Sequence, residues 1–271
     1  VELYQWITLA GTGLVAGLLG GLLGIGGSII MIPVMVLLCG QGQHLAQGAA
    51  MIINVCVAIP AAVRHFQARA VRREVIITMI PAAAVAVLCG VAVSDLAMFH
   101  GVGERRLTGL FGLFLLYVLY RNVLVLLRPA EELRIERGDL SPSRNRLGGL
   151  VVGGLAGFFG GLLGIGGGII AVPAQQVLMR MPIRNAVADS AAAMICLSLI
   201  GATYKNYHLV EQGVSLGRPL ALAAVLVPGA VIGAYLGGGL THTVPTRFVR
   251  AVLAILILAA AGSMLWRCAG L

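Results

Sequence analysis

Residues 24–28 read GIGGS and residues 164–168 read GIGGG, each inside a long apolar run. The chemistry such a stretch offers comes from the main chain. Clustered glycines interrupt a helix because they favour backbone angles other residues avoid. The helix that resumes around Gly26, Gly27 and Ser28, or around Gly166, Gly167 and Gly168, opens with unpaired N–H groups and a partial positive charge. Such a terminus binds a small anion without a cationic side chain.

Several side chains could join these amides. Asn54 can offer its amide to an anion or satisfy backbone groups freed by Pro60, and both residues interrupt an apolar run. Gln175 and Gln176 follow the second block where the first half has Met35 and Val36, so they could line a cavity from one half only. Asp189, beside Ser190 in NAVADSAAAM, is either a proton- or substrate-handling acid or an interfacial acid near a helix N-terminus. Arg64 and His65 match Lys205 and Asn206 in position after the run that follows each block. They could act as gate or funnel groups, or simply anchor helices at the interface. Asp95 ends its run and reads as interfacial.

The glycine blocks belong to a larger repeat. Residues 16–33 (AGLLGGLLGIGGSIIMIP) and 156–173 (AGFFGGLLGIGGGIIAVP) are identical at 13 of 18 positions, at an offset of 140. Paired interruptions in two halves of a hydrophobic chain are a pointer to a transport site. Hydrophobic residues make up 59% of the chain and charged residues 11%, with a mean hydropathy of +0.98, so the composition is that of a polytopic membrane protein. Apolar runs fall at about 5–39, 45–63, 75–98 and 106–127, and again at about 148–179, 186–204, 219–241 and 247–266. The first run of each half is too long for one helix, at roughly 50 Å against a hydrocarbon core of about 30 Å. The glycines must break it. Gly13, Gly17 and Gly21, with Gly153, Gly157 and Gly161, form four-residue-spaced faces suited to close helix packing. Pro33 and Pro173 are expected to kink or end the short helices.

Loop charge orients the chain. Residues 64–73 carry four arginines and the 128–147 segment five more, which places both on the cytoplasmic side. The matching segment 204–213 has lost that charge, as an inverted second half requires. The reading is therefore an all-α polytopic membrane protein of two inverted-topology repeats. Each has a Gly-broken helical hairpin plus three transmembrane helices, in a first repeat 1–128, a cytoplasmic linker 129–147 and a second repeat 148–271. The outer basic set is then Arg105, Arg106, Lys205, Arg218 and Arg267. The N-terminus, lacking a basic leader and repeated from residue 148, reads as part of the fold.

Other classes are disfavoured. The net charge of +9 resides in short loops, which explains it by topology instead of nucleic-acid binding. The five cysteines lack CxxC or histidine spacing, so no disulfide framework or metal site is indicated, and they read as small buried apolar residues. GIGG lacks the preceding strand of a dinucleotide site, and no catalytic or Walker motif is present, so neither an enzyme nor a cofactor is expected.

GLLGIGGSIIMIP and GLLGIGGGIIAVP, each followed by an Ala-rich helix (AQGAAM; AVADSAAAM), resemble the TauE/SafE family over nearly the whole chain. These are sulfite exporter-like anion permeases, also called the toluene sulfonate uptake permease group. The resemblance implies a multi-pass bacterial inner-membrane carrier of sulfite or organosulfonates. Its glycine motif maps onto Gly24, Gly26, Gly27, Gly164, Gly166, Gly167 and Gly168, and its polar position onto Ser190. Ser28 in place of a third glycine, and Ala50 opposite Ser190, favour the second half as the more polar wall. Export by alternating access is the expected mechanism, since an inside-negative potential drives a monoanion outward by about 2.3 kcal/mol per 100 mV. A passive channel and a proton-coupled uptake permease are the alternatives. The expected partners are a small anion and the lipid bilayer, with a homodimer open to the glycine-lined faces.

Overall fold

A computed structural model describes residues 3–24, 26–127, 142–240 and 246–269, with side chains described for 8–24, 26–127, 146–240 and 250–268. Most of the expected linker, and the boundary at 128/129, lie outside the described residues. Among those described, every element is helical. The first half contains α1 (Leu3–Leu23), α2 (Ser28–Leu37), α3 (Gln43–Gln67), α4 (Arg73–Ser94), two short 3-10 turns (Ala97–Phe99 and Gly101–Gly103) and α5 (Glu104–Leu127). The second contains α6 (Pro142–Leu163), α7 (Gly168–Leu178), α8 (Ile183–Glu211), α9 (Gly217–Leu240) and α10 (Thr246–Ala269). The backbone of α6 starts at Pro142, ahead of the apolar run read from residue 148. A helix can carry a polar first turn beyond the apolar slab.

Both glycine blocks interrupt helix, as their composition requires. Gly24 and Gly26 in the first, and Gly164, Gly166 and Gly167 in the second, all have positive φ (65–80°). A residue with a Cβ would be strained there. The limbs after the breaks are short. At 10 and 11 residues, α2 and α7 are about 15 Å long and cannot cross a bilayer core. Neither proline ends its limb, because α2 runs on to Leu37 past Pro33 and α7 to Leu178 past Pro173. Likewise Asn54 and Pro60 do not interrupt α3, which is one 25-residue helix.

Seven described helices are long and apolar enough to span a membrane: α3, α4, α5, α6, α8, α9 and α10. They form two layers. Of their apolar stretches, 67% of α3 and 72% of α8 is buried, against 33% of α4, 28% of α5 and 22% of α10. Thus α3 and α8 make the centre, and the others turn residues such as Ile77, Val85, Leu113, Ile255 and Leu258 outward. That apolar exterior suits lipid. The cysteines are half-buried, and Cys89 is exposed, so they are not the buried core residues the sequence suggested.

The glycine faces bring main chain against main chain. A Cβ on Gly13, Gly17 or Gly21 would strike the backbone of α9 at Leu226, Ala230 or Ala234, and one on Gly153, Gly157 or Gly161 the backbone of α4 at Met79, Ala83 or Val87. Gly229, Gly233 and Gly237 of α9 and Gly90 of α4 return the same contact. The first helix of each half is therefore docked on the other half.

Corresponding central helices run in opposite directions. The start of α8 holds the α3–α4 connection: Arg184 donates to the Ala68 carbonyl (3.1 Å), Asn185 to the Ala70 carbonyl (2.7 Å), and Asp189 accepts from the Arg72 N–H (2.7 Å). The far end of α8 meets the start of α3, where Lys205 Nζ lies 2.8 Å from His44 Nδ1.

Candidate functional site

The two helix breaks meet, and each is held by side chains of the other half. Ser28 Oγ, opening α2, donates to the Ile165 carbonyl in the second break (3.1 Å). Ser190 Oγ on α8 donates to the Gly24 carbonyl in the first (3.1 Å), with Gly168 O at 3.4 Å. Asn54 Nδ2 on α3 donates to Ser28 Oγ (3.2 Å), and Gln47, two turns earlier, donates to the Leu162 carbonyl (3.2 Å). Ser28, Asn54 and Ser190 are all fully buried. This arrangement sets the first turns of α2 and α7 beside one another in the protein interior.

A small polar locus lies between them. A Cβ on Gly26 would sit 3.1 Å from both Asn54 Oδ1 and Met194 Sδ; one on Gly166 would sit 2.8 Å from Ser198 Oγ and 2.9 Å from Asn54 Nδ2. Glycine is required at both positions to leave this locus open. Asn54 Oδ1 and Ser198 Oγ are buried with no hydrogen-bond partner among the described residues. Leaving such an atom unsatisfied costs about 1–3 kcal/mol, and the Ser198 hydroxyl can meet that need by donating to an anion. Two positive helix ends, the Ser198 hydroxyl and the second N–H of the Asn54 amide form a donor set for a small oxyanion, with Asn54 Oδ1 able only to accept.

The remaining sequence candidates are dispersed. Gly27 and Gly167 let each break fold back on its own first limb, where a Cβ would lie 3.1 Å from the Ala16 carbonyl oxygen and 2.5 Å from that of Ala156. Gln175 is buried and donates to Met79 Sδ (3.3 Å), away from the breaks. Gln176 lines a separate cavity near Arg121, Arg184 and Arg250. Asp189 adjoins Ser190 in sequence, but successive helical residues point about 100° apart. Its carboxylate faces the α3–α4 connection while Ser190 faces the breaks.

The four gate candidates divide between the two ends of the bundle because α3 and α8 are antiparallel. Arg64 lies 3.9 Å over the Tyr235 ring, and His65 is buried at the same end, its carbonyl accepting from Ala70. At the other end Asn206 donates to the Gly48 and Ala202 carbonyls. Lys205, with no exposed surface, pairs with Asp95 (2.5 Å) and donates to Ser94 Oγ (2.9 Å). Asp95 is thus an ion-pair partner and not a free interfacial acid.

His44 and His100 complete that cluster and were not singled out from sequence. The His44 ring stacks on His100 at 4.5 Å, and its Nε2 lies 2.9 Å from the Phe99 carbonyl. Lys205, which can only donate, makes Nδ1 the acceptor and leaves Nε2 to face the Phe99 carbonyl. Burial alone would raise the Asp95 carboxyl, but the Lys205 ammonium paired with it, beside the His44 ring, outweighs burial and holds the group below its ordinary range. Only tertiary structure joins residues 44, 95 and 205. Arg121 and Arg250 were also passed over, although Arg121 lies inside the apolar run 106–127, a signal that intramembrane charge supplies directly.

The family model described as sulfite exporter TauE/SafE matches residues 9–264. A relative named "Probable membrane transporter protein MamO" from Magnetospirillum gryphiswaldense is 29% identical, over 93% of this chain and 43% of its own length. Its namesake from Paramagnetospirillum magneticum is 28% identical with the same coverage. "Probable membrane transporter protein YunE" from Bacillus subtilis is 23% identical, over 94% of this chain and 95% of its own. This chain therefore spans less than half the length of the two MamO proteins. No solved structure matches. With the match covering both glycine breaks and every described spanning helix, the chain belongs to the TauE/SafE sulfite exporter family of membrane transporters.

Proposed function

We propose that this transporter carries a small sulfur oxyanion, of the sulfite or organosulfonate class, and binds it where the two helix breaks meet. The observation that carries the reading is the direct link between the breaks, Ser28 to the Ile165 carbonyl, which aligns two helix N-termini beside the unpartnered Ser198 hydroxyl. Gly26, Ser28, Asn54, Gly166 and Ser190 form or hold the site. Gly27, Gly167 and Gly168 shape the breaks. Asp189, Arg64, His65, Lys205 and Asn206 act away from the anion, by tying helix ends together.

The antiparallel course of α3 and α8 supports inverted repeats, one on either side of residues 129–147. The end of the bundle bearing the 68–72 connection then faces the cytoplasm, and the Lys205–Asp95–His44 cluster faces outward. Alternating access follows if the two sets of end contacts open in turn. Export of a monoanion needs no coupling ion under an inside-negative potential.

Purified protein in liposomes tests this reading. Sulfite efflux should be saturable and should drive counterflow of labelled sulfite. A linear, non-saturating conductance would mean a passive pathway instead.

A further inference from the structure

A cavity of about 140 Å³ opens beside α7 at the bundle end opposite the Lys205 cluster, and nothing described above uses it. Three arginines from three helices line it: Arg121 of α5, Arg184 of α8 and Arg250 of α10, with Gln176 of α7. The rest of its wall is mostly apolar. At its deep end stand Leu23, next to the first break, and Ile169, next to the second. The cavity therefore lies against residues that flank both breaks.

Among the described residues, the arginines have no structural duty that explains three of them. Arg184 is engaged, donating to the Ala68 carbonyl. Among the described residues, neither Arg121 nor Arg250 has a carboxylate partner, and Arg121 Nε is buried without an acceptor. Asn122 fixes the rim by donating to the Arg250 carbonyl (2.7 Å), which ties α5 to α10. An arginine placed within an apolar span is costly and marks an ion pathway when it faces a cavity. Guanidinium groups take planar or tripodal oxyanion heads through several N–H donors at once.

We infer that this cavity is a second anion site, in which Arg121 and Arg250 bind the head of an organic anion and the apolar wall takes its short tail. The inference rests on the transport reading for its place on the pathway, and within that reading it assigns to this cavity the organic anions that bear a small apolar body. A volume near 140 Å³ matches cavities that accept a benzene-sized solute. A lipid presents the same chemistry, an anionic head on an apolar tail. The phosphatidylglycerol arm of the titration below separates that source from a soluble anion.

The test is a titration of the purified full chain, in phosphatidylcholine nanodiscs, with methane-, ethane-, propane- and butanesulfonate, and with sulfite. Affinity should rise about fourfold per added methylene. Arg121→Gln and Arg250→Gln should each weaken butanesulfonate at least tenfold and leave sulfite binding at the helix breaks as in the wild type, and Arg121→Lys should keep part of the affinity that Arg121→Gln loses. The chain-length series needs no variant, so it stands if one of these fails to fold. A flat series, unaltered butanesulfonate binding in both Gln variants, or displacement of butanesulfonate by added phosphatidylglycerol would each overturn the inference. Sulfite flux without tail selectivity would sink this site and spare the transport reading; tail-selective binding without flux of any anion would do the reverse.

Discussion

Lys205 shows what a single residue must satisfy in this molecule. An ammonium with no exposed surface keeps its charge only if its donors are used, and Asp95, Ser94 and His44 use all three. Removing one partner strands the other. Lys205→Met should destabilise the protein by about 3–5 kcal/mol, read as a fall in the thermal unfolding midpoint, and Lys205→Met with Asp95→Leu should recover much of it. The pH dependence has a definite sign. The carboxyl of Asp95 is held low in the folded protein, so its contribution is complete above the unfolded value of about 3.9 and disappears as pH falls through the folded value. The midpoint difference between wild type and Asp95→Asn should stay level from pH 7 to about pH 4 and close below it. A difference that closes between pH 7 and pH 5 would place the titration on another group. None of this was legible locally, since His44, Asp95 and Lys205 are brought together only by the antiparallel packing of α3 and α8.

At the scale of elements, the two glycine patterns do different work. Four-residue spacing on α1 and α6 lets each lie on a helix of the other half, main chain to main chain. Gly157→Val would push Cβ into the Ala83 backbone of α4, which cannot yield as a side chain can. It should lower the unfolding midpoint markedly, whereas Gly154→Ala, with open space around it, should leave that midpoint near wild type. Equal midpoints for the two variants would contradict the docking. These features were plain in the sequence because composition encodes them: clustered glycines break helix, spaced glycines pack it, and 20-residue apolar runs span. The roles of Gln175 and Asp189 were not. Which way a side chain turns on a helix depends on neighbours from distant parts of the chain, here Met79 and Arg72.

For the whole molecule, the decisive property is the polarity of the two halves. Gln67 and Gln212 are exposed residues at matching ends of α3 and α8. In cells, on a background without the five native cysteines, Gln212→Cys should react with a membrane-impermeant maleimide from outside, and Gln67→Cys only after permeabilisation. Labelling of both from the same side would exclude inversion. The loss of arginines between segments 64–73 and 204–213 already pointed to this polarity, because loop charge is a whole-chain property that a sequence displays directly.

Binding at the joined helix breaks is tested most directly by titrating sulfite into the wild type and into Asn54→Asp, which keeps the side-chain shape but replaces the Ser28 donor with a carboxylate oxygen beside Gly26 and Gly166. The account predicts saturable sulfite binding by the wild type and its loss, by at least tenfold in affinity, in a variant that remains folded. Equal sulfite affinity in the two proteins would contradict it.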